Sequence, residues 1–150
     1  GVKLALHPDD PPMSPLKHQE RIIISPEAFD RVFAINDSPA NGMCFCQGSF
    51  ASMGDHDLPA LIRHFGPRIH YVHFRDVVGA VPRFRETFHD TGKTDMAACI
   101  RAYRAIGFRG PARPDHVPTL EGESNELAGY HMQGRLFAVG YMRGLLDATA

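Results

Sequence analysis

Short apolar runs alternate with longer segments whose apolar positions recur at helical spacing. Residues 2–6 form an apolar run that ends at His7, and Pro8, Pro11, Pro12 and Pro15 break regular structure after it. This reads as a strand and a stiff loop. Ser25-Pro26-Glu27 has the form of a helix start, with serine at the N-cap and proline at the first helical position. Ala28, Phe29, Val32, Phe33 and Ile35 follow at helical spacing. Residues 42–46 predict a second strand, ended by Gly48-Ser49, and residues 55–65 a helix stopped by Gly66-Pro67. Residues 69–74 predict a third strand. Residues 75–91 show no strong period and read as a long loop, a kind of segment that often carries function. Residues 95–106 predict a helix ending at Gly107. Residues 110–113 predict a short strand broken by Pro114. A second long loop runs to about Gly129, and residues 130–146 predict the last helix. Strand and helix therefore alternate four times, the order of parallel strands joined by crossover helices.

That map gives the chemistry a geometry. His7, Cys46 and His73 each close a strand, and Asp115 follows the fourth. Their separations of 39, 27 and 42 residues are each about one β/α unit. In α/β barrels the active site is built at the carboxyl ends of the strands. Imidazole, thiolate and carboxylate together suit a divalent transition metal. Four such ligands leave positions open on an octahedral ion; on tetrahedral zinc they would fill the shell, as in a structural site. Taken one at a time, each residue has a plainer reading. A histidine after a strand is commonly a satisfied core or loop residue, a strand cysteine a small hydrophobe, and Asp115 a turn cap.

Composition narrows the setting. With 43% hydrophobic and 22% charged residues, 150 residues can bury the core of one ordinary domain. A formal net charge of -1 offers no basic face, so nucleic acid is not expected as a partner. No apolar run approaches the roughly 18 residues of a membrane span, and no leader pattern is visible at Gly1. The three cysteines, an odd number, argue for free thiols in a reducing compartment, and a cytoplasmic location is expected.

Several runs together resemble the mannonate dehydratase family: His7-Pro8-Asp9-Asp10-Pro11-Pro12, Phe45-Cys46-Gln47-Gly48-Ser49, His73-Phe74-Arg75 and Arg113-Pro114-Asp115-His116. Residues 65–69 and the run from Gly129-Tyr130 to Gly134-Arg135-Leu136 fit the same pattern. The resemblance spans residues 2–146. It implies a TIM (β/α)8 barrel related to xylose-isomerase-like sugar enzymes, of which residues 1–150 supply the C-terminal half, about four β/α units. It implies a hydro-lyase that converts D-mannonate to 2-keto-3-deoxy-D-gluconate in glucuronate catabolism. The metal it implies is manganese, with iron as the alternative, on His7, Cys46, His73 and Asp115. The acid/base groups it implies are His116 and Tyr130, with their roles undivided. Cys44 lies two residues before Cys46 and would share its face of an ideal strand, so the choice of Cys46 rests on the motif.

Arg75, Arg113, His89 and Ser49 are the candidates for substrate contact, each with an ordinary structural role as its alternative. His56, His64 and His131 read as exposed. A complete barrel needs about 250 residues and eight strands. The N-terminal half is therefore expected as a missing partner of this sequence, and a homodimer of completed barrels is the expected assembly. Two other readings remain: a metal-dependent sugar isomerase or epimerase on the same barrel, and a non-catalytic half-barrel that docks a partner.

Overall fold

The computed structural model describes residues 1–150. Five helices, α1 (Pro26–Ile35), α2 (Gln47–Met53), α3 (Leu58–Phe65), α4 (Met96–Ala105) and α5 (Met132–Ala148), surround five strands. The strands are β1 (Met43–Cys46), β2 (Ile69–Phe74), β3 (Val77–Ala80), β4 (Arg83–Glu86) and β5 (Ala112–Pro114). The main sheet has the order β1-β2-β5, all parallel. Leu6 adds a parallel bridge to Met43, so four chain segments run side by side in sequence order. This is about half of a TIM barrel.

Local chemistry explains the helices. The Ser25 and Asp57 side chains accept from the backbone N–H groups of Ala28 and Ala60, and each is followed by a proline in the first turn. Asp95 caps α4 in the same way through Ala98. The inner sides of these helices supply Phe29, Phe33, Ile62, Phe65, Cys99 and Ile100 to one core, which also takes Met43, Phe45, Val72 and Phe74 from the strands. Strand alternation then decides the rest. Because Phe45, Val72 and Phe74 face the helices, Cys46 and His73 face the other way, into the barrel interior. Cys46 pairs in register with His73, and His73 with Arg113, so the three stand in one row across the sheet.

Four expectations change. The first strand is reduced to the single Leu6 bridge, although Leu4 and Leu6 still donate to the carbonyls of Ala40 and Gly42 at 2.8 and 2.9 Å. The segment pairs on one side only, and Val2 and Leu4 are exposed. Residues 47–53 do not simply end the strand but form α2. This helix is buried nearly all round, so it has no polar face to create a helical period, and Gly48 and two serines lower its propensity. The loop at residues 75–91 contains the β3–β4 hairpin. Gly79 there has φ +85°, and a Cβ on it would lie 2.5 Å from the Arg83 carbonyl oxygen. Finally, Pro114 does not break β5 but completes it, opposite Phe74; it sits at the strand end, where its missing N–H costs no ladder bond.

Candidate metal centre and acid/base pair

His7, Cys46 and His73 come together. Their donor atoms all lie within 4.8 Å of one another. His7 reaches the cluster from the end of the Leu6 segment, Cys46 from the end of β1 and His73 from β2. The Nδ1 of His7 donates to the carbonyl oxygen of Pro8 at 2.6 Å, which leaves Nε2 to face the cluster, 3.2 Å from the Nδ1 of His73. Asp115 joins through His73: its Oδ2 is 3.3 Å from the same Nδ1. Three strand ends thus form the compact set, and Asp115 touches it only through His73. Two imidazoles and a thiol at this separation, with a carboxylate beside one of the imidazoles, fit a divalent ion.

Burial, hydrogen bonds and neighbouring charges act against each other on these groups. Burial alone would raise the Cys46 thiol, but hydrogen bonds from His7 and His73 and the charge of Arg75 outweigh it, bringing the pKa down to about 6. Burial alone would lower His73, but hydrogen bonds with Asp115, Cys44 and Cys46 lift it to about 11. Asp115 is buried too, yet its bond with His73 and the charges of His116, His73 and Arg113 hold its carboxyl well below the usual carboxylate range. The surroundings therefore favour the thiolate form of Cys46, the form in which cysteine binds a metal, and the Asp115 contact favours a proton on the facing nitrogen of His73. Cys44 shares the interior face and also bonds His73, but burial keeps its thiol raised. The compact set contains Cys46 and not Cys44.

His116 and Tyr130 form a second unit beside this cluster. The Nε2 of His116 is 3.0 Å from the Tyr130 hydroxyl. The guanidinium of Arg135 lies over the Tyr130 ring at 5.3 Å. His116 has φ +43°, the left-handed region, which turns the chain sharply after Asp115.

The four candidates for substrate contact separate. Arg113 stays open, with 39% of its side chain exposed; its Nη2 donates to Asp115 Oδ1 at 2.8 Å and its Nε lies 3.3 Å from His73 Nε2. Arg75 is closed off at 1% exposure. It donates to Asp10 Oδ2 at 2.6 Å and to both carboxylate oxygens of Glu86, and lies 3.7 Å from the Cys46 sulfur. His89 is buried and stacked on Phe74, bonded through Nε2 to the Phe74 carbonyl at 2.5 Å. Ser49 is buried in the first turn of α2.

One polar residue of this region escaped the sequence reading. Glu86, on β4, receives Arg75 and also stands 3.2 Å from His116 Nδ1. Only the hairpin brings it there, and no period in residues 75–91 marks the hairpin.

A sequence profile of D-mannonate dehydratase (UxuA) matches residues 1–150. The chain belongs to this family. It is similar to Mannonate dehydratase 2 of Halalkalibacterium halodurans, 39% identical over 155 residues that cover 100% of this chain and 44% of that protein. The crystal structure of mannonate dehydratase from Streptococcus suis serotype 2 superposes with a TM-score of 0.92 at 35% identity, over 99% of this chain and 44% of that one. The structure of an L-ribulose 3-epimerase superposes with a TM-score of 0.65 at 17% identity, a likeness of fold. The chain spans less than half the length of the family relatives it matches.

Proposed function

We propose that this chain is the metal-bearing half of a mannonate dehydratase, completed by an N-terminal half-barrel. The reaction takes the proton from C2 of D-mannonate and the hydroxyl from C3, releasing water and leaving an enol that becomes 2-keto-3-deoxy-D-gluconate. One observation carries the reading: a metal-ligand cluster and a hydrogen-bonded His–Tyr pair adjoin each other at the strand ends of a chain that matches the family throughout.

His7, Cys46, His73 and Asp115 hold the divalent ion, manganese in our reading, with iron the alternative. Bound there, it supplies Lewis-acid stabilisation of the charge that develops beside the substrate carboxylate. The chain's own residues do the rest. His116 and Tyr130 share the two proton transfers, one removing the C2 proton and the other protonating the departing hydroxyl. Arg113 steadies His73 and Asp115 from behind, and its open edge can orient an anionic substrate. Arg75 is a packing cation that keeps negative charge on Cys46 and cannot reach a ligand from its buried place. Placement of the reaction in glucuronate catabolism rests on the substrate. Three free, buried thiols favour a reducing compartment such as the cytoplasm.

The open edges of the sheet, at the Leu6 segment and at β5, are where the second half would close the barrel. A homodimer of completed barrels is the assembly we expect, and the mass of the full-length protein in solution tests it. The activity is tested by supplying the full-length, manganese-loaded protein with D-mannonate beside a panel of aldoses. Appearance of the 2-keto-3-deoxy acid is expected; isomerised sugar in its place would make this barrel an isomerase.

A further inference from the structure

Two carboxylates lie near the imidazole of His116, one toward each nitrogen, and only one is within reach. Glu86 Oε1 is 3.2 Å from Nδ1, within hydrogen-bond reach. Asp115 Oδ2 is 3.8 Å from Nε2, beyond it. A carboxylate within reach of Nδ1 makes that nitrogen the donor and leaves Nε2 to face Tyr130, 3.0 Å away.

Glu86 is not free to drift. Its two oxygens are gripped by the Nε and Nη2 of Arg75, the Nε contact at 2.9 Å. Arg75 in turn is buried and tied to Asp10, and it packs so closely on α2 that a Cβ at Gly48 would lie 2.6 Å from its Cγ. Burial alone would raise the Glu86 carboxyl, but the bonds from His116 and Arg75 hold it below the usual carboxylate range, so it remains an acceptor. A carboxylate held in place by Arg75 asks for a donor at Nδ1.

We propose that Glu86 is a positioning residue for the acid/base pair, holding His116 in the Nδ1-protonated tautomer so that Nε2 is presented to Tyr130 as an acceptor. This rests on the reading of His116 and Tyr130 as the proton-transfer groups. It assigns the β3–β4 hairpin a part in the reaction: the hairpin delivers the carboxylate that sets the ring. The arrangement runs from Asp10 through Arg75 and Glu86 to His116, and each link is a charge-assisted hydrogen bond.

The test separates tautomer from turnover. Full-length protein labelled with 15N-histidine and loaded with zinc, which is diamagnetic, is compared with its His116→Asn variant to identify the His116 signals. The unsubstituted protein should show the Nδ1–H tautomer. Glu86→Gln should shift His116 toward the Nε2–H form, because the neutral amide oxygen is a weaker acceptor at Nδ1 and its NH2 group has to face either the Arg75 guanidinium or Nδ1 itself. With manganese, Glu86→Gln should lower kcat about 10- to 100-fold at nearly unchanged KM and metal content, while Glu86→Asp recovers part of the loss. An Nε2–H tautomer in the unsubstituted protein would overturn the proposal, even if the variants failed to fold. So would a folded Glu86→Gln variant with the original tautomer and full kcat. If His116→Asn itself kept full turnover, the acid/base reading would fail, and the tautomer result would still report on Glu86 alone.

Discussion

The two halves of the site are built in different ways. Cys46 and His73 stand on adjacent strands, locked in register and backed by a core of aromatic rings such as the stacked Phe45 and Phe50, 4.5 Å apart. His116 and Tyr130 flank the long loop between β5 and α5, and Tyr130 is 45% exposed. That loop is held by a few polar ties: Val117 and Gly129 bridge, and Glu123 accepts from the backbone N–H of Leu120 and Gln133. The ligand cluster is thus fixed by folding itself, whereas His116 and Tyr130 depend on local hydrogen bonds. Binding of the ion and turnover should therefore be separable by substitution.

At the rigid side the effect falls on metal binding. Cys46→Ala removes the thiolate and should weaken manganese retention by more than about 100-fold, since even a supporting partner of a ligand is worth 10- to 100-fold. Metal analysis after dialysis measures it, and full occupancy would remove Cys46 from the site. Tyr130→Phe should do the opposite, keeping the metal and lowering kcat by about 10²- to 10⁴-fold; undiminished turnover would remove Tyr130 from the mechanism. Arg113→Met lies between the two regions. It should weaken metal binding about 10- to 100-fold and raise KM, both readable by titration and steady-state kinetics.

Titration offers a finer probe. The metal-free cluster holds a proton on His73 up to about pH 11, while Cys46 has lost its own near 6. Because ligands must give up their protons, uptake of the ion at pH 8 should release about one proton. Calorimetry in two buffers of different ionisation enthalpy counts it; no release would contradict a raised His73. The sign for stability follows. His73 is raised, so its contribution to the metal-free fold is complete below its ordinary value of about 6.5 and is lost as pH climbs toward about 11. Up to about pH 9 the lowered Cys46 thiol, whose contribution grows with rising pH, offsets this, so the metal-free protein should lose stability mainly between about pH 9 and 11 and the loaded protein much less. The smallest effect tests the packing beneath both regions: Gly48→Ala forces Arg75 to shift and should cost about 1–3 kcal/mol in denaturant unfolding.

How much of this was legible in the sequence follows the same division. Capped helices such as α1, with Ser25-Pro26 before an apolar stripe, announce themselves locally, and so do strands that end in a ligand. The metal cluster was therefore readable from spacing, strengthened by motif. Helix α2 and the β3–β4 hairpin were not, because their periodicity is hidden: α2 is buried on every side, and each hairpin strand has only four residues. With the hairpin unseen, Glu86 had no place in the site. Arg75, His89 and Ser49 were found near it but not seen to be buried, since burial depends on packing of α2 and the hairpin over them. A charge in the sequence does not say whether it ends in solvent or beneath a helix.

The register of the central ladder has a consequence for how this site can vary. Side chains in a strand have a period of two, so a slip of one residue in β2 would present Val72 or Phe74 where His73 stands and turn the imidazole into the greasy layer beneath the helices. The strands therefore act as a phase lock on the chemistry. Loops between them can lengthen or shorten without dephasing Cys46, His73 and Arg113, but a single residue gained or lost inside β2 would scramble the metal centre and the core in the same step.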